Sequence, residues 1–327
     1  MKKLDFVIAW VDGSDENHRL KRQQFQPENV VKGAAEDTRF AHNDEIYFSI
    51  ASILKYVPYC GTIYIITDHQ QPSFVGEFEA QGLCRSGQIQ VVDHQEIFRN
   101  YQQYLPTFNS LSIESMLWNI KGISNHFIYL NDDFFFNQQS DLSDFLIDGQ
   151  MVIYGHWQAT LIKKMKYIFR KFLQQNFGRV AEAKYSTAQM LSADRVGMTR
   201  YSEIHHRPHI LSRDLLSTYF KNNKELLEQQ IQFKFRNIDQ LLPVGLSNHL
   251  AIQSDQAILK DDIDIAYLKD GRDLEKFILA LSNSEIKFGC IQSLDQLESL
   301  AEGRIRAALI QKFTGFLPSQ IQPTTVV

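Results

Sequence analysis

The sequence predicts an α/β protein: a mainly parallel sheet flanked by helices, carrying a largely helical insertion. Two observations lead there. Short apolar runs with strand character alternate with helix-period segments from residue 4 to residue 136, and such alternation builds parallel sheets with helices on both faces. Polar clusters also lie just after the runs, at their C-terminal ends, where sheets of this kind gather ligands.

The first run, Leu4–Val11, reads as a buried strand, with Asp12-Gly13-Ser14-Asp15 as the turn after it. Pro27 to Thr38 is polar and reads as a loop. Asn43 then caps a helix whose first turn holds Asp44 and Glu45, acids that favour the positive end of the helix dipole. Ile46, Ile50, Ile53, Leu54 and Val57 form one apolar face of it, and Pro58 ends it. Thr62–Thr67 and Ile89–Val92 are the second and third strands. Ser110 caps a helix carrying Ile113, Leu117 and Ile120, and Phe127–Leu130 is the fourth strand, closed by Asn131-Asp132-Asp133. From Met151 to Arg236 the pattern turns mostly helical. The expected organisation is therefore a ligand-binding α/β core over 1–150, a helical insertion or lid over 151–236, and a C-terminal part over 237–327 that completes the core.

Composition narrows the function classes. The 327 residues are 44% hydrophobic and 22% charged, a globular balance that excludes a disordered or collagen-like chain. With 34 basic and 38 acidic side chains the formal charge is −4, giving no electrostatic case for nucleic acid. Cys60, Cys84 and Cys290 are scattered, which fits neither a disulfide framework nor a CxxC zinc site and suits a reducing cytosol. The apolar run Phe6–Val11 is too short for a signal peptide's apolar region, and no stretch approaches the ~20 apolar residues of a membrane span. A cytoplasmic location is the resulting expectation.

No GxGxxG comes after the first strand, and GxxxxGK[ST], GxSxG and HExxH are missing, which argues against dinucleotide, P-loop, α/β-hydrolase and zincin chemistry. The strongest local signal is Tyr129-Leu130-Asn131-Asp132-Asp133-Phe134-Phe135-Phe136. Two acids in so apolar a segment are costly to bury unless a cation or hydrogen bonds compensate them. A hard divalent ion bridging to a diphosphate would do so; the alternative is a turn whose acids cap the next element. Gly13 lets a ligand approach the backbone beside Asp12, or the segment is a plain turn. Asp262-Ile263-Asp264 has the look of the metal-binding Asp-x-Asp of glycosyltransferases, but is expected to mark an edge strand. His205-His206-Arg207-Pro208-His209 concentrates three histidines beside an arginine, offering a general base near neutral pH or satisfied structural histidines. Phe233-Lys234-Phe235-Arg236-Asn237 interleaves bases with aromatics and either brings Arg236 to a phosphate or forms a half-solvated strand. Residues 151–181 hold Lys163, Lys164, Lys166, Arg170, Lys171 and Arg179 with no acid, and Leu161, Met165, Ile168, Phe169 and Phe172 share one helical face. That face either packs on the sheet or contacts an anionic acceptor or the inner membrane surface.

Together these motifs resemble the Stealth family of hexose-1-phosphate transferases, which includes bacterial capsular polysaccharide phosphotransferases and the enzyme that makes the lysosomal mannose-6-phosphate tag. Four regions carry the resemblance: Asp5–Asp15; a long one from Arg39-Phe40 through Asn43-Asp44-Glu45, Tyr56-Val57-Pro58, Ile63–Asp68, Gln70, Leu105–Ser110 and Ile113-Glu114 to Asn131-Asp132-Asp133; Arg207-Pro208-His209; and Phe233–Asn237 with the residues just after it. Ile8-Ala9, Ala41-His42 and Leu111-Ser112 depart from the family's usual Tyr-Thr, Arg-Asp and His-Ala. The resemblance implies a GT-A/Rossmann-like sheet and transfer of hexose 1-phosphate from a UDP-hexose to a hydroxyl of a glycan or lipid-linked saccharide, with UMP released. It implies Mg2+ or Mn2+ at Asp132 and Asp133, a phosphate clamp of Arg39, Arg207 and Arg236, and His209 as general base. It further implies nucleotide contacts from Asp12 and Gly13, and site-shaping or donor-sugar contacts from Asn43, Glu45 and Asn109. The alternatives are a metal-dependent glycosyltransferase releasing UDP and a non-catalytic nucleotide-sugar-binding subunit.

Overall fold

The structure, a computed structural model, describes residues 3–26, 43–179, 181–292 and 294–321. In chain order it runs β1 (Leu4–Ala9), α1 (Glu16–Phe25), α2 (Glu45–Tyr56), β2 (Cys60–Thr67), α3 (Ser73–Ala80), β3 (Ile89–Asp93), α4 (His94–Ile97), α5 (Ser110–Glu114) and β4 (His126–Asn131). Next come β5 (Phe134–Phe136), β6 (Leu146–Ile147), β7 (Gln150–Tyr154), β8 (His156–Ala159), α6 (Thr160–Phe177), α7 (Tyr185–Arg195), β9 (Arg200–Glu203) and β10 (His209–Ser212). The chain ends with α8 (Arg213–Asn222), α9 (Lys224–Ile231), α10 (Pro243–Gln253), β11 (Ala257–Lys260), β12 (Ala266–Leu268), α11 (Leu274–Ser282), β13 (Phe288–Ile291) and α12 (Ser299–Lys312).

The central sheet has the order β10-β4-β1-β2-β3. β1 pairs in parallel with β2 and β4, β2 pairs in parallel with β3, and β10 adds an antiparallel edge. Phe6, Val7, Ile8, Ile63, Ile65, Phe127 and Ile128 are wholly buried, as expected for strands covered on both faces. The fold class read from the sequence is thus the one observed, a mixed sheet with parallel strands and flanking helices.

Local differences have local causes. β1 ends at Ala9, two residues short of the apolar run. Asn43 is not the cap of α2: Asp44 is, in a left-handed conformation with φ 64° and no side-chain cap bond, while Glu45 Oε2 accepts the Asn43 N–H at 2.8 Å. Asn109, rather than Ser110, caps α5 through its side-chain bond to the Leu111 N–H. The helix expected to reach Ile120 stops at Glu114, and a 3₁₀ turn covers Leu117–Asn119. There Ser115 Oγ bonds back to the Leu111 carbonyl at 2.7 Å and Trp118 Nε1 to the Ser115 carbonyl at 2.8 Å, side-chain bonds that compete with helical pairing. Residues 151–236 contribute β7–β10 as well as helices, and β10 pairs His209 with Tyr129 on the central sheet. Asp262-Ile263-Asp264 lies between β11 and β12, not in an edge strand.

One packing detail positions the acidic turn. β13 pairs antiparallel with β5, placing Gly289 opposite Phe135. A Cβ on Gly289 would lie 2.1 Å from the Phe135 ring, so only glycine admits that ring. The Ile291 N–H then bonds the Asp133 carbonyl at 2.8 Å, holding the turn from the far end of the chain.

Candidate active site

Three carboxylates converge just beyond the carboxyl end of β4. Asp132 and Asp133 come directly after that strand, and Glu45 opens α2. Burial pushes Asp132 well above the usual carboxylate range, and the charges of Asp133 and Glu45 push it further. Burial likewise raises Asp133 to about 6, against the pull of the Cys290 thiol, whose Sγ lies 3.4 Å from Oδ2, and of Arg236. Glu45 rises to about 7, chiefly by burial, and the Asp133 charge adds to it. These are acids crowded without enough cationic compensation. Asp133 Oδ1 is buried with no hydrogen-bond partner among the described residues, and so is the Asn43 amide nitrogen next to Glu45. An orphaned carboxylate oxygen among mutually repelling acids fits a hard divalent cation, which takes oxygen ligands. Arg306 fixes the Glu45 end: it pairs with Asp44 at 3.1 Å, with Glu302 at 2.8 Å, and donates to the Asn43 carbonyl at 2.9 Å.

Arg236 supplies positive charge on the other side. Its Nη2 donates to Ser110 Oγ at 2.7 Å, and its charge acts on Asp133 and Glu114. Glu114, buried and raised to about 7 mainly by desolvation, leaves Oε2 without a hydrogen-bond partner. The loop under Arg236 is tied down by Asn109, wholly buried, whose amide nitrogen donates to the Gln240 side chain at 2.9 Å and the Phe233 carbonyl at 3.2 Å. Phe108 and Phe235 stack above it at 5.4 Å. Asn109 is thus committed to tying this loop to the segment that carries Arg236.

Asp12 and Gly13 lie in the turn after β1. The Gln70 side chain bonds the Asp12 backbone twice, accepting from N–H at 2.9 Å and donating to the carbonyl at 2.8 Å. Asp12 Oδ1 accepts from the Ser14 N–H at 2.8 Å and hydroxyl at 2.6 Å, so one carboxylate oxygen is spent on the turn.

The Arg207-Pro208-His209 segment is placed differently from expectation. Arg207 is 1% exposed, pairs with Asp262 at 2.9 Å, donates to the Tyr154 carbonyl and lies over the Tyr154 ring. A guanidinium so buried and so engaged is not a free phosphate clamp; it holds the segment in place. Arg39 lies outside the described residues. Of the two arginines among the described residues, Arg236 is the one whose charge reaches the carboxylates. His209 is buried, its Nε2 bonded to the His205 carbonyl at 2.9 Å, and burial together with the Arg207 charge holds its pKa well below 6.5, so the ring is neutral at pH 7.

Sequence reasoning assigned no role to Glu114 or Cys290, offered His206 only as one of three histidines that could serve as base, and weighed Asp262 only as part of an Asp-x-Asp. His206 is stacked between Tyr185 at 5.1 Å and Tyr267 at 6.0 Å and feels the Arg236 charge. Asp262 also takes His205 Nε2 at 2.7 Å, and with His156 these groups form the cluster of metal-ligating type found among the described residues. An acid in an apolar helix was a usable signal for Glu114; Asp262 and His206 had local motifs but their partners did not, and the Cys290 contact with Asp133 spans the chain and left no local mark.

Acidic and basic side chains meeting beyond the carboxyl ends of parallel strands define a ligand-binding α/β protein of the open-sheet kind. Residues 39–153 match the family model of Stealth protein CR2, conserved region 2. This chain therefore carries a Stealth conserved region over residues 39–153 and is similar in sequence to capsular and exopolysaccharide phosphotransferases. It is 39% identical over 145 residues to the capsular polysaccharide phosphotransferase cps1A of Actinobacillus pleuropneumoniae, a stretch covering 43% of this chain and 38% of that protein. It is 30% identical over 271 residues to an exopolysaccharide phosphotransferase of Streptomyces coelicolor, covering 82% of this chain and 27% of that protein. The matched stretches thus span well under half of these relatives' own lengths. Among solved structures, the apo form of the bifunctional glycosyltransferase WbbM aligns with 98% of this chain and 51% of its own at 9% identity and a TM-score of 0.47, a likeness too weak to support any conclusion.

Proposed function

We propose that this protein is a polysaccharide phosphotransferase that moves hexose 1-phosphate from a UDP-hexose to a sugar hydroxyl in capsule or exopolysaccharide synthesis. The observation that carries the reading is the group of Glu45, Asp132 and Asp133, with the orphaned Asp133 Oδ1 and Arg236 beside it. The match of residues 39–153 to the Stealth conserved region and the names of the relatives support it.

The acceptor oxygen attacks the phosphorus that bears the hexose. A new oxygen–phosphorus bond forms, the bridging phosphorus–oxygen bond of the diphosphate breaks, and UMP leaves. The hydroxyl proton passes to a base, a role we assign to His209, already neutral at pH 7. Catalysis of such a step is mostly positioning and charge stabilisation. Asp132 and Asp133, with Glu45 beside them, would hold magnesium or manganese, which would supply neutralisation of the diphosphate charge. Arg236, steered by Ser110, offers its guanidinium to the transferred phosphoryl oxygens. Asp12 and Gly13 hold the nucleotide, and Asn43 presents its unpaired amide to the donor. The acceptor is a glycan or a lipid-linked saccharide, and the reaction takes place on the cytoplasmic side.

The deciding experiment incubates the protein with a panel of UDP-hexoses, magnesium and candidate glycans and identifies the nucleotide released. UMP together with a phosphodiester product bears the proposal out. UDP means glycosyl transfer at the anomeric carbon instead. Donor binding without release of either nucleotide means a binding subunit.

A further inference from the structure

α6 is an 18-residue helix, about 27 Å long, that is turned inside out relative to a surface helix of an ordinary domain. Leu161, Ile162, Met165, Ile168, Phe169 and Phe172 are each 51–67% exposed, and Phe177 at its end is 66% exposed. On a helical projection the six fall within a stripe ~120° wide. Among the described residues no other element exposes more than one large apolar side chain on this scale except α1.

The inversion has a cause. The inward face of α6 is polar and tied to the body by ion pairs. Lys163 meets Glu203 at 3.4 Å, Lys164 meets Asp194 at 2.6 Å, and Lys171 meets Asp239 at 2.9 Å. Tyr167 adds a hydrogen bond to Asp239 at 2.7 Å, and Thr160 anchors the start on the Thr199 carbonyl. Three lysines are thereby neutralised by acids of the body, and the apolar stripe has nowhere to face but outward. The remaining cations, Lys166, Arg170 and Arg179, have no ion pair among the described residues. Lys166 borders the stripe, and residues 151–181 contain no acid.

A contiguous exposed apolar patch marks a partner surface. Its rim decides which. A long apolar stripe bordered by Lys166, with Arg170 further round the helix and Arg179 just past its end, in a chain whose net charge is −4, complements a surface with an anionic layer over an apolar interior, which is what an interfacial amphipathic helix binds. No helix of the described residues is long and apolar enough to cross a membrane, so the contact is lateral. We infer that α6 docks this protein on an anionic phospholipid surface, its apolar stripe entering the headgroup–acyl boundary while Lys166, Arg170 and Arg179 engage lipid phosphates. Lys163, Lys164 and Lys171 are the struts that present the stripe, not its lipid contacts.

Co-sedimentation of the full chain with vesicles tests this without reference to turnover. The expected result is binding to phosphatidylglycerol–phosphatidylethanolamine vesicles and much less to phosphatidylcholine. Binding should weaken from about 0.1 M to about 1 M salt, as the screening length falls from ~10 to ~3 Å. Leu161→Ser/Met165→Ser/Phe169→Ser together should cut partitioning by roughly 10-fold or more, and Lys166→Glu/Arg170→Glu/Arg179→Glu should remove the lipid-charge preference. Because Leu161, Met165, Phe169, Lys166 and Arg179 are exposed and Arg170 is half-buried without an ion pair among the described residues, both variants should unfold close to the wild-type temperature. A Phe169→Trp variant should show a blue-shifted emission on adding anionic vesicles. Absence of wild-type binding, or equal binding by wild type and the triple-serine variant, overturns the inference. So does a wild-type dimer in lipid-free buffer that the serine variant converts to monomer without any vesicle binding, since the stripe would then cover a second copy.

Discussion

Arg207 and Asp262 form an almost closed ion pair, Nη1 to Oδ1 at 2.9 Å, that ties the segment carrying His209 to the loop between β11 and β12. Arg207 is 1% exposed, and desolvation lowers its pKa while Asp262 raises it again. Removing one partner of such a pair strands the other. Arg207→Ala should destabilise the fold by about 3 kcal/mol and Asp262→Asn, on the more exposed side, by about 1–2 kcal/mol. Urea unfolding of both single variants and the double variant gives the coupling energy; strictly additive losses would mean that the pair does not act as a unit.

Asp132→Asn and Asp133→Asn should each abolish transfer while leaving the fold intact. Without divalent ion both variants should melt at or above the wild-type temperature, since each removes one of the repelling acids. Magnesium should raise the melting temperature of the wild type and not of the variants. Near-normal turnover with magnesium in either variant would remove the metal from these residues.

Glu114 gives a pH signature. Its folded pKa, about 7, lies above the unfolded value near 4.5. The folded state therefore holds the proton more tightly, and the group's contribution to stability is fully present below pH 4.5 and is lost as pH rises to 7. Glu114→Gln should match the wild type near pH 4 and exceed it by about 1–2 kcal/mol at pH 8, with the loss of charge facing Arg236 holding the gain to that size. Chemical denaturation at the two pH values reads the difference; a gain at pH 4 and none at pH 8 would contradict the sign.

Gly289→Ala should cost about 2–3 kcal/mol by overpacking against Phe135. Because β13 also holds the Asp133 carbonyl, the same variant should weaken magnesium binding. Gly289→Ala/Phe135→Leu should recover much of the stability, and thermal melts of the pair check the mechanism.

His209→Ala should lower turnover about 100-fold, the scale of a lost general base. Its depressed pKa places the acidic limb of the wild-type kcat/KM profile below pH 6.5. A pH profile unchanged in shape would take His209 out of the chemistry and leave it the role of bonding the His205 carbonyl.

The central strands were legible because their signal is local. A strand buried on both faces must be a continuous apolar run, and Leu4–Ala9, Cys60–Thr67 and His126–Asn131 stand within two residues of the runs that announce them, as does the half-exposed edge strand Ile89–Asp93. The acids after β4 were legible for the same reason, since two carboxylates between Leu130 and Phe134 are conspicuous wherever they lie. What the sequence by itself determined is therefore the parallel core and the position of its acidic turn. Tertiary structure decided the rest. The periodicity of α6 defines an apolar stripe but not what faces it, and its direction is settled by Glu203, Asp194 and Asp239, side chains brought in from distant parts of the chain. Arg207 has the residue type of a phosphate ligand, and only the approach of Asp262 and Tyr154 makes it a buried strut. Charge pairing over long sequence distances depends on register and packing, and neither is written in the spacing of neighbouring residues.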